Sequence, residues 1–145
     1  MFKHLLIPTD GSTLSEEAVR LGIRLAQSIG ARVTFFHAIA KYHASQTIMG
    51  LLETDRDGYA KAALACATEH LRFLAKSARA AGVDCAVEYA TSDDPAAAIV
   101  QLAAARNCDL IVMASHGRHG VEGFLLGSET QKVLTHTHIP VLVHR

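Results

Sequence analysis

Four glycines, two serines, an arginine and two histidines are concentrated in one stretch, "VMASHGRHGVEGFLLGSET" (Val112–Thr130). Gly117 and Gly120 carry no Cβ, so they can adopt a positive φ and let the backbone approach a ligand closely. Gly127 and Ser128 stand where a helix would begin, and the N–H groups and positive dipole end of a helix bind anions. The pattern indicates a phosphate-binding loop. The alternative is that the glycines only shape a surface loop and the serine only caps a helix.

A carboxylate occupies a second position suited to ligand binding, in "PTDGS" (Pro8–Ser12). Asp10 could accept hydrogen bonds from the two hydroxyls of a ribose, or it could form a local Asx turn ahead of a helix. In open α/β sheets, ligands bind beyond the carboxyl ends of the strands, where the strand order reverses. If the order is 3-2-1-4-5, this turn and the glycine loop face one crevice.

Familiar catalytic and metal-binding motifs are missing from the sequence. A phosphate-binding Walker loop needs a lysine directly before its Ser or Thr, whereas Gly127 precedes Ser128. Neither the dinucleotide fingerprint nor the nucleophile elbow is present, and no nucleophile–base pair can be assembled. Two histidine pairs lack a Cys or carboxylate at a ligand spacing, so no metal site is predicted: His116 with His119, and His136 with His138.

Composition narrows the classes of protein that remain. The 145 residues carry 14 basic and 14 acidic side chains, which gives no basic footprint for nucleic acid. No apolar run reaches the roughly 18 residues of a membrane span, and the N-terminal apolar stretch is too short for a signal peptide. Cys66, Cys85 and Cys108 are dispersed, which favours three buried, reduced thiols and a cytoplasmic location.

Hydrophobic periodicity predicts strands and helices in strict alternation. Gly30 and Gly82 mark helix ends, Thr13 and Glu16 fit a capping box, and Asp94 would cap a helix that begins with Pro95. No clear period is found from Ala40 to about Thr54. The predicted strands are His4–Pro8, Arg32–Ile39, Val83–Thr91, Asp109–Ser115 and Pro140–His144; helices are predicted over Thr13–Ile29, Asp55–Ala81, Asp94–Asn107 and about Ser128–Thr137.

This alternation of short apolar strands with helices is typical of a parallel sheet covered on both faces. We therefore expect one doubly wound α/β domain spanning residues 1–145, with no linker and no internal repeat.

The segments "LLIPTDGS", "DLIVMASHGRHGVEGFLLGSETQKVL" and "IPVLVHR" closely resemble the universal stress proteins, and the likeness covers essentially the whole chain. The resemblance implies a five-stranded parallel sheet of order 3-2-1-4-5. It also implies a cytoplasmic stress-response protein that forms a homodimer through its last strand, Pro140–His144. Neither nucleic acid nor membrane is an expected partner.

One branch of this family binds ATP through the pattern Gly, two residues, Gly, nine residues, Gly, then Ser or Thr. Gly117, the nine residues after it, and Gly127-Ser128 match that pattern, but Ala114 occupies the position of the first glycine. An alanine there is nearly neutral if its φ is negative, and strained by about 1 kcal/mol if φ is positive.

The resemblance implies a role for each matching residue. Asp10 would hold the ribose, and Ala38 would border the adenine, with Pro8 and Thr9 as the nearby wall. His116 and Arg118 would lie over the phosphates. Glu129 would disfavour a triphosphate unless its side chain points away or helps to hold Mg²⁺. The phosphates would be held by Gly117, Gly127, Ser128 and the backbone amides around Glu129.

Two hypotheses of different classes follow. The first is a stress-response protein that binds ATP, ADP or AMP as a regulatory ligand, with Mg²⁺ for a triphosphate, and hydrolyses it slowly or not at all. The second is a nucleotide-free dimeric interaction module with the same fold. The intact spacing from Gly117 to Ser128 favours the first hypothesis, and Ala114 favours the second.

Overall fold

The computed structural model describes residues 1–43, 56–117 and 126–145, and these form alternating strands and helices. The order of elements is β1 (His4–Pro8), α1 (Thr13–Ile29), β2 (Arg32–Ile39), α2 (Arg56–Ala80), β3 (Cys85–Thr91), α3 (Pro95–Ala105), β4 (Leu110–Ala114), α4 (Ser128–His136) and β5 (Val141–His144). Every predicted element within the described ranges is present, with ends shifted by at most two residues.

The strands pair in parallel in the order β3-β2-β1-β4-β5, which confirms the predicted sheet. The pairing aligns Leu5 of β1 with Val33 of β2 on one side and with Leu110 of β4 on the other. β1 and β4 are buried along their whole length, as expected of central strands covered on both faces. The strand order reverses between them, so a ligand crevice is expected at their carboxyl ends.

Helices cover both faces of the sheet because successive strand residues point to opposite sides. α1 and α2 pack on one face and α3 and α4 on the other, each against its own apolar cluster. The first cluster includes Leu5, Ile7, Phe35, Leu71 and Val112, and the second includes Leu6, Phe36, Ile99, Ile111 and Val133. The prediction of helices on both faces is confirmed.

Helix ends follow the predicted residues with one exception. Gly30 has a φ of 67° after α1, and the Asp94 side chain accepts from the Ala97 N–H at the start of α3. The capping box predicted at Thr13 is wrong. Ser12 is the N-cap of α1, with extended backbone and an Oγ that accepts from the Ser15 N–H at 3.3 Å, while Thr13 is already helical.

The cysteines differ in exposure. Cys108 is buried, and burial raises the pKa of its thiol to about 11, whereas Cys85 is only partly buried. Cys66 is exposed on α2, so the expectation of three buried thiols is wrong for this residue. A buried Cys108 thiol with a raised pKa is unreactive, because the thiolate is the nucleophilic form.

Some predictions concern residues outside the described ranges. Arg118, His119, Gly120 and most of the segment from Ala40 to Thr54 belong to this group. Within residues 1–43, 56–117 and 126–145, no helix combines the length and the apolar character needed to cross a membrane.

Candidate functional site

The carboxyl ends of β1 and β4 bring the two predicted ligand loops to the same edge of the sheet. Thr9 follows β1 and is fixed to the next strand, since its N–H donates to the Phe36 carbonyl at 2.8 Å. Its buried hydroxyl lies 3.1 Å from the Ser15 Oγ in the first turn of α1. Ala38 lies near the end of β2, opposite Ala90 of β3. Pro8, Thr9 and Ala38 therefore lie at the edge where the sequence predicts a ligand.

Asp10 and Gly117 are in close contact across the crevice. The Asp10 Oδ1 accepts from the Ser12 N–H at 2.9 Å, so the Asx turn proposed as an alternative role is present. A Cβ on Gly117 would collide with the Asp10 Oδ2. The same carboxylate thus shapes the turn with one oxygen and faces the glycine loop with the other.

The steric contact, and not a positive φ, explains the glycine at position 117. Among the described glycines, positive φ values occur at Gly11, Gly30 and Gly82, and Gly117 is outside this group. The left-handed backbone that a glycine makes possible is therefore not used at Gly117. The residue is needed because a side chain there would displace the carboxylate of Asp10.

The glycine loop is closed at its base by one backbone carbonyl. The Gly127 N–H donates to the Ser115 carbonyl at 2.7 Å, so the chain enters and leaves the loop at the same place. A Cβ on Gly127 would lie 3.1 Å from the His116 Cα and 3.2 Å from the Ser115 carbonyl oxygen, which is tighter than ordinary packing. Gly127 therefore lets α4 begin directly against the end of β4.

The first turn of α4 is a candidate anion site. Gly127 is its N-cap, in extended conformation, and no side chain within the described part of the chain caps the helix. The first N–H groups of a helix have no intrahelical partner and carry the positive end of the dipole. Ser128 adds a hydroxyl at the first helical position.

The carboxylate of Glu129 is directed away from this opening. Its Oε2 accepts from the Ala96 N–H at the start of α3, at 3.0 Å. Its Oε1 accepts from the Lys132 Nζ at 3.0 Å, a bond that raises the pKa of Lys132. The Glu129 side chain therefore points away from the helix terminus, as the binding of a phosphate there would require.

Ala114 and His116 lie on either side of Ser115, where β4 ends. Ala114 is the final strand residue, pairs with His144 and does not have a positive φ. The alanine that replaces the first pattern glycine is therefore unstrained. The His116 Nδ1 lies 3.1 Å from the Ser115 Oγ. Arg118 falls in the range that the structure does not describe.

Two residues of this region were missed by the sequence reasoning. Ser115 and Thr130 are 3% and 2% exposed, so both hydroxyls are inside the protein. The Thr130 Oγ1 donates toward the carbonyls of Ala114 and Ser115, each at 3.0 Å. The sequence feature that could have indicated Thr130 is a hydroxyl residue three positions after Gly127, the last glycine of the loop.

The described residues contain no group of three metal-ligating side chains. What they offer is backbone donors, a hydroxyl and a nearby carboxylate, all at the switch point of a parallel sheet. The fold and this arrangement define a doubly wound α/β protein with a candidate anion-binding helix terminus beside a candidate diol-binding Asp10.

Comparison with known proteins of similar sequence and fold indicates one family. The universal stress protein family matches residues 1–145. A universal stress protein of Methanocaldococcus jannaschii is 34% identical over 143 residues, which is 99% of this chain and 82% of the relative. The solved structure of the hypothetical protein MJ0577 superposes with a TM-score of 0.83 at 25% identity, over 99% of this chain and 96% of that one. A universal stress protein in complex with cAMP superposes with a TM-score of 0.72 at 27% identity, over 99% and 97% of the two chains.

The chain therefore belongs to the universal stress protein family.

Proposed function

We propose that this universal stress protein binds an adenine nucleotide as a regulatory ligand at the carboxyl edge of its sheet. The observation that carries the proposal is the uncapped N-terminus of α4, which begins at Gly127 close to the turn that holds Asp10. The similar universal stress protein in complex with cAMP, at 27% identity, supports an adenine ligand.

Each part of the nucleotide has candidate partners in this proposal. Ala38, Pro8 and Thr9 border the adenine, and the Asp10 carboxylate accepts from the ribose hydroxyls. The phosphates are bound by Gly117, Gly127, Ser128 and the backbone N–H of Glu129, with His116 and Arg118 on the loop over them. These contacts bind a ligand and supply no base for attack by water, so hydrolysis is slow or absent.

The ligand in the cell is ATP, or ADP or AMP, with Mg²⁺ accompanying a triphosphate. The orientation of Glu129 supports this range, because its carboxylate is bonded to Ala96 and Lys132 and does not oppose the phosphates. Ala114 is compatible with binding because its backbone is unstrained.

The proposal is tested by calorimetric titration of the purified protein with Mg-ATP, ADP and AMP. We expect saturable binding that is weakened at least about tenfold in Asp10→Asn, which keeps an oxygen for the Ser12 N–H but loses the charge facing the ribose. Asp84→Asn, a change at an exposed residue before β3, is the control and should bind like the wild type. No binding at millimolar nucleotide would refute the proposal. Adenine nucleotide found by mass spectrometry in the protein as purified would support it independently.

The exposed edge of β5 also supports a homodimer. The alternative hypothesis, a nucleotide-free dimeric interaction module, depends on this same edge. Within the described residues β5 pairs only with β4, and Leu142 on it is 37% exposed. An unpaired edge invites a second strand, and a two-fold axis makes the contact self-complementary. We propose that Pro140–His144 pairs with its copy in a cytoplasmic dimer of this 145-residue domain.

Sedimentation equilibrium at micromolar concentration should show a dimer for the wild type and a monomer for Leu142→Glu. Phe73→Glu, at an exposed position on α2 across the sheet, should remain dimeric. A monomeric wild type would contradict the dimer, and a dimer that fails to bind nucleotide would favour the alternative function.

A further inference from the structure

Thr130 is a buried polar residue that joins two parts of the candidate site. It is the third residue of α4 and is 2% exposed, beneath the helix turn whose N–H groups are open. Its hydroxyl lies 3.0 Å from the carbonyl oxygens of both Ala114 and Ser115, the residues at the end of β4. A hydroxyl has one proton, so the two carbonyls share it.

The Ser115 carbonyl receives two donors, the Gly127 N–H at 2.7 Å and the Thr130 hydroxyl. One donor precedes α4 and the other lies within its first turn, so the start of the helix is attached to the strand at two points. The body of α4 is already held by Val133 in the second apolar cluster. The two bonds act on its first turn and fix the direction of the first N–H groups relative to β4.

The same bonds occupy carbonyl oxygens that would otherwise repel an anion at the end of β4. A carbonyl that accepts hydrogen bonds presents less negative charge to its surroundings than an unbonded one. Orientation of N–H donors and shielding of nearby acceptors both favour a phosphate, and neither affects a neutral nucleoside bound by its base and ribose.

We propose that Thr130 is a positioning residue for phosphate: its hydroxyl aligns the first turn of α4 with the end of β4 and thereby adds phosphate affinity without touching the ligand. The inference rests on the proposed nucleotide function. The ligand group concerned is the phosphate of an adenine nucleotide. Loss of the Thr130 hydroxyl should reduce the affinity that AMP gains over adenosine from this phosphate.

The test measures the dissociation constants of adenosine and AMP for the wild type, Thr130→Val and Thr130→Ser. Valine keeps the shape of the side chain and removes the donor, whereas serine keeps the donor. We expect the AMP-to-adenosine affinity ratio to fall about fivefold or more in Thr130→Val and to stay within about twofold of the wild type in Thr130→Ser. Adenosine affinity should change less than about twofold in both.

Thr135→Val is the matched control. Thr135 is on the same helix, and its hydroxyl donates to the Gln131 carbonyl at 2.8 Å on the exposed face, away from β4. This variant should keep the wild-type ratio. If Thr130→Val does not fold, Thr130→Cys replaces it, because a thiol is a weak donor of similar size, and it should lower the ratio by a smaller factor.

The outcomes separate the inference from the function on which it rests. An unchanged ratio in Thr130→Val, or an equal loss of affinity for adenosine and AMP, would overturn the positioning role while leaving nucleotide binding intact. A fall of the AMP-to-adenosine affinity ratio in Thr130→Ser, as large as in Thr130→Val, would also overturn the positioning role. Wild-type protein that binds neither compound refutes the proposed function and the inference with it.

Discussion

Two helices begin at the same edge of the sheet, and their first turns are built in opposite ways. At the start of α3, Pro95 has no N–H, the Ala96 N–H donates to Glu129, and the Ala97 N–H donates to Asp94. At the start of α4, the N-cap is Gly127 and no side chain within the described residues caps the turn. One terminus is closed by the protein itself, and the other is open.

The contrast indicates where a ligand site is expected. Helix N-termini are ordinarily satisfied by side chains because unpaired N–H groups are unfavourable when shielded from water. A glycine at the N-cap removes the capping side chain, and at position 127 it also avoids a close contact with the backbone of His116. The open turn is therefore suited to an anion, and the carboxylate nearest in sequence, Glu129, closes the other helix.

Closing the open terminus should have the largest effect. Ser128→Asp places a carboxylate at the first residue of α4, where it can take the position of the phosphate. Two like charges about 4 Å apart repel by about 4 kcal/mol at an effective dielectric constant of 20. We expect AMP affinity to fall about 100-fold or more, measured by calorimetry. The stability in urea should be unchanged or higher, by up to about 1 kcal/mol, because acidic residues favour helix N-termini.

The matched changes are Ser128→Ala at the open terminus and Asp94→Ala at the closed one. Ser128→Ala should weaken AMP binding no more than about tenfold, since one hydroxyl donor is lost. Asp94→Ala should lower the free energy of unfolding by about 0.5–2 kcal/mol and leave AMP affinity unchanged. If Asp94→Ala lowered AMP affinity as much as Ser128→Asp does, the distinction between the two termini would be wrong.

Glu129 links the two termini, so its removal tests whether they act independently. Glu129→Ala leaves the Ala96 N–H without its present acceptor, and the free energy of unfolding should fall by about 1 kcal/mol in a urea titration. AMP affinity should stay within about threefold of the wild type, because the carboxylate is directed toward α3. Glu129→Gln, which keeps an acceptor oxygen, should restore most of the stability. A large gain in AMP affinity in Glu129→Ala would mean that the carboxylate opposes the phosphate after all.

The open terminus could be predicted from the sequence, whereas its surroundings could not. The spacing of Gly117, Gly127 and Ser128 is a local pattern, and the alternation of strands and helices placed it at the carboxyl edge. The bond from Glu129 to Ala96 joins residues 33 apart in the sequence and depends on how α3 packs against α4. Local patterns also gave the wrong N-cap for α1, because Ser12 and Thr13 are adjacent residues with similar capping ability.

Thr130 was missed for a related physical reason. A threonine in the first turn of a helix suggests a surface position, and only the contact with the end of β4 shows that its hydroxyl is buried and bonded. The steric reason for Gly117 could not be read from the sequence either. Glycine suggests unusual backbone angles, but the residue that requires it here is Asp10, more than 100 positions earlier in the chain.

The smallest effect is expected where the sequence departs from the family pattern. Ala114→Gly restores the pattern glycine at the end of β4. Because Ala114 has no positive φ and is paired with His144, glycine relieves no strain there. Its greater freedom in the unfolded chain should lower the free energy of unfolding by about 0.5–1 kcal/mol. AMP affinity should remain within about threefold of the wild type, as measured by calorimetry beside a urea titration. A tenfold gain in affinity would instead mean that the methyl group obstructs the ligand, and that the terminus of α4 is less open than its hydrogen bonds indicate.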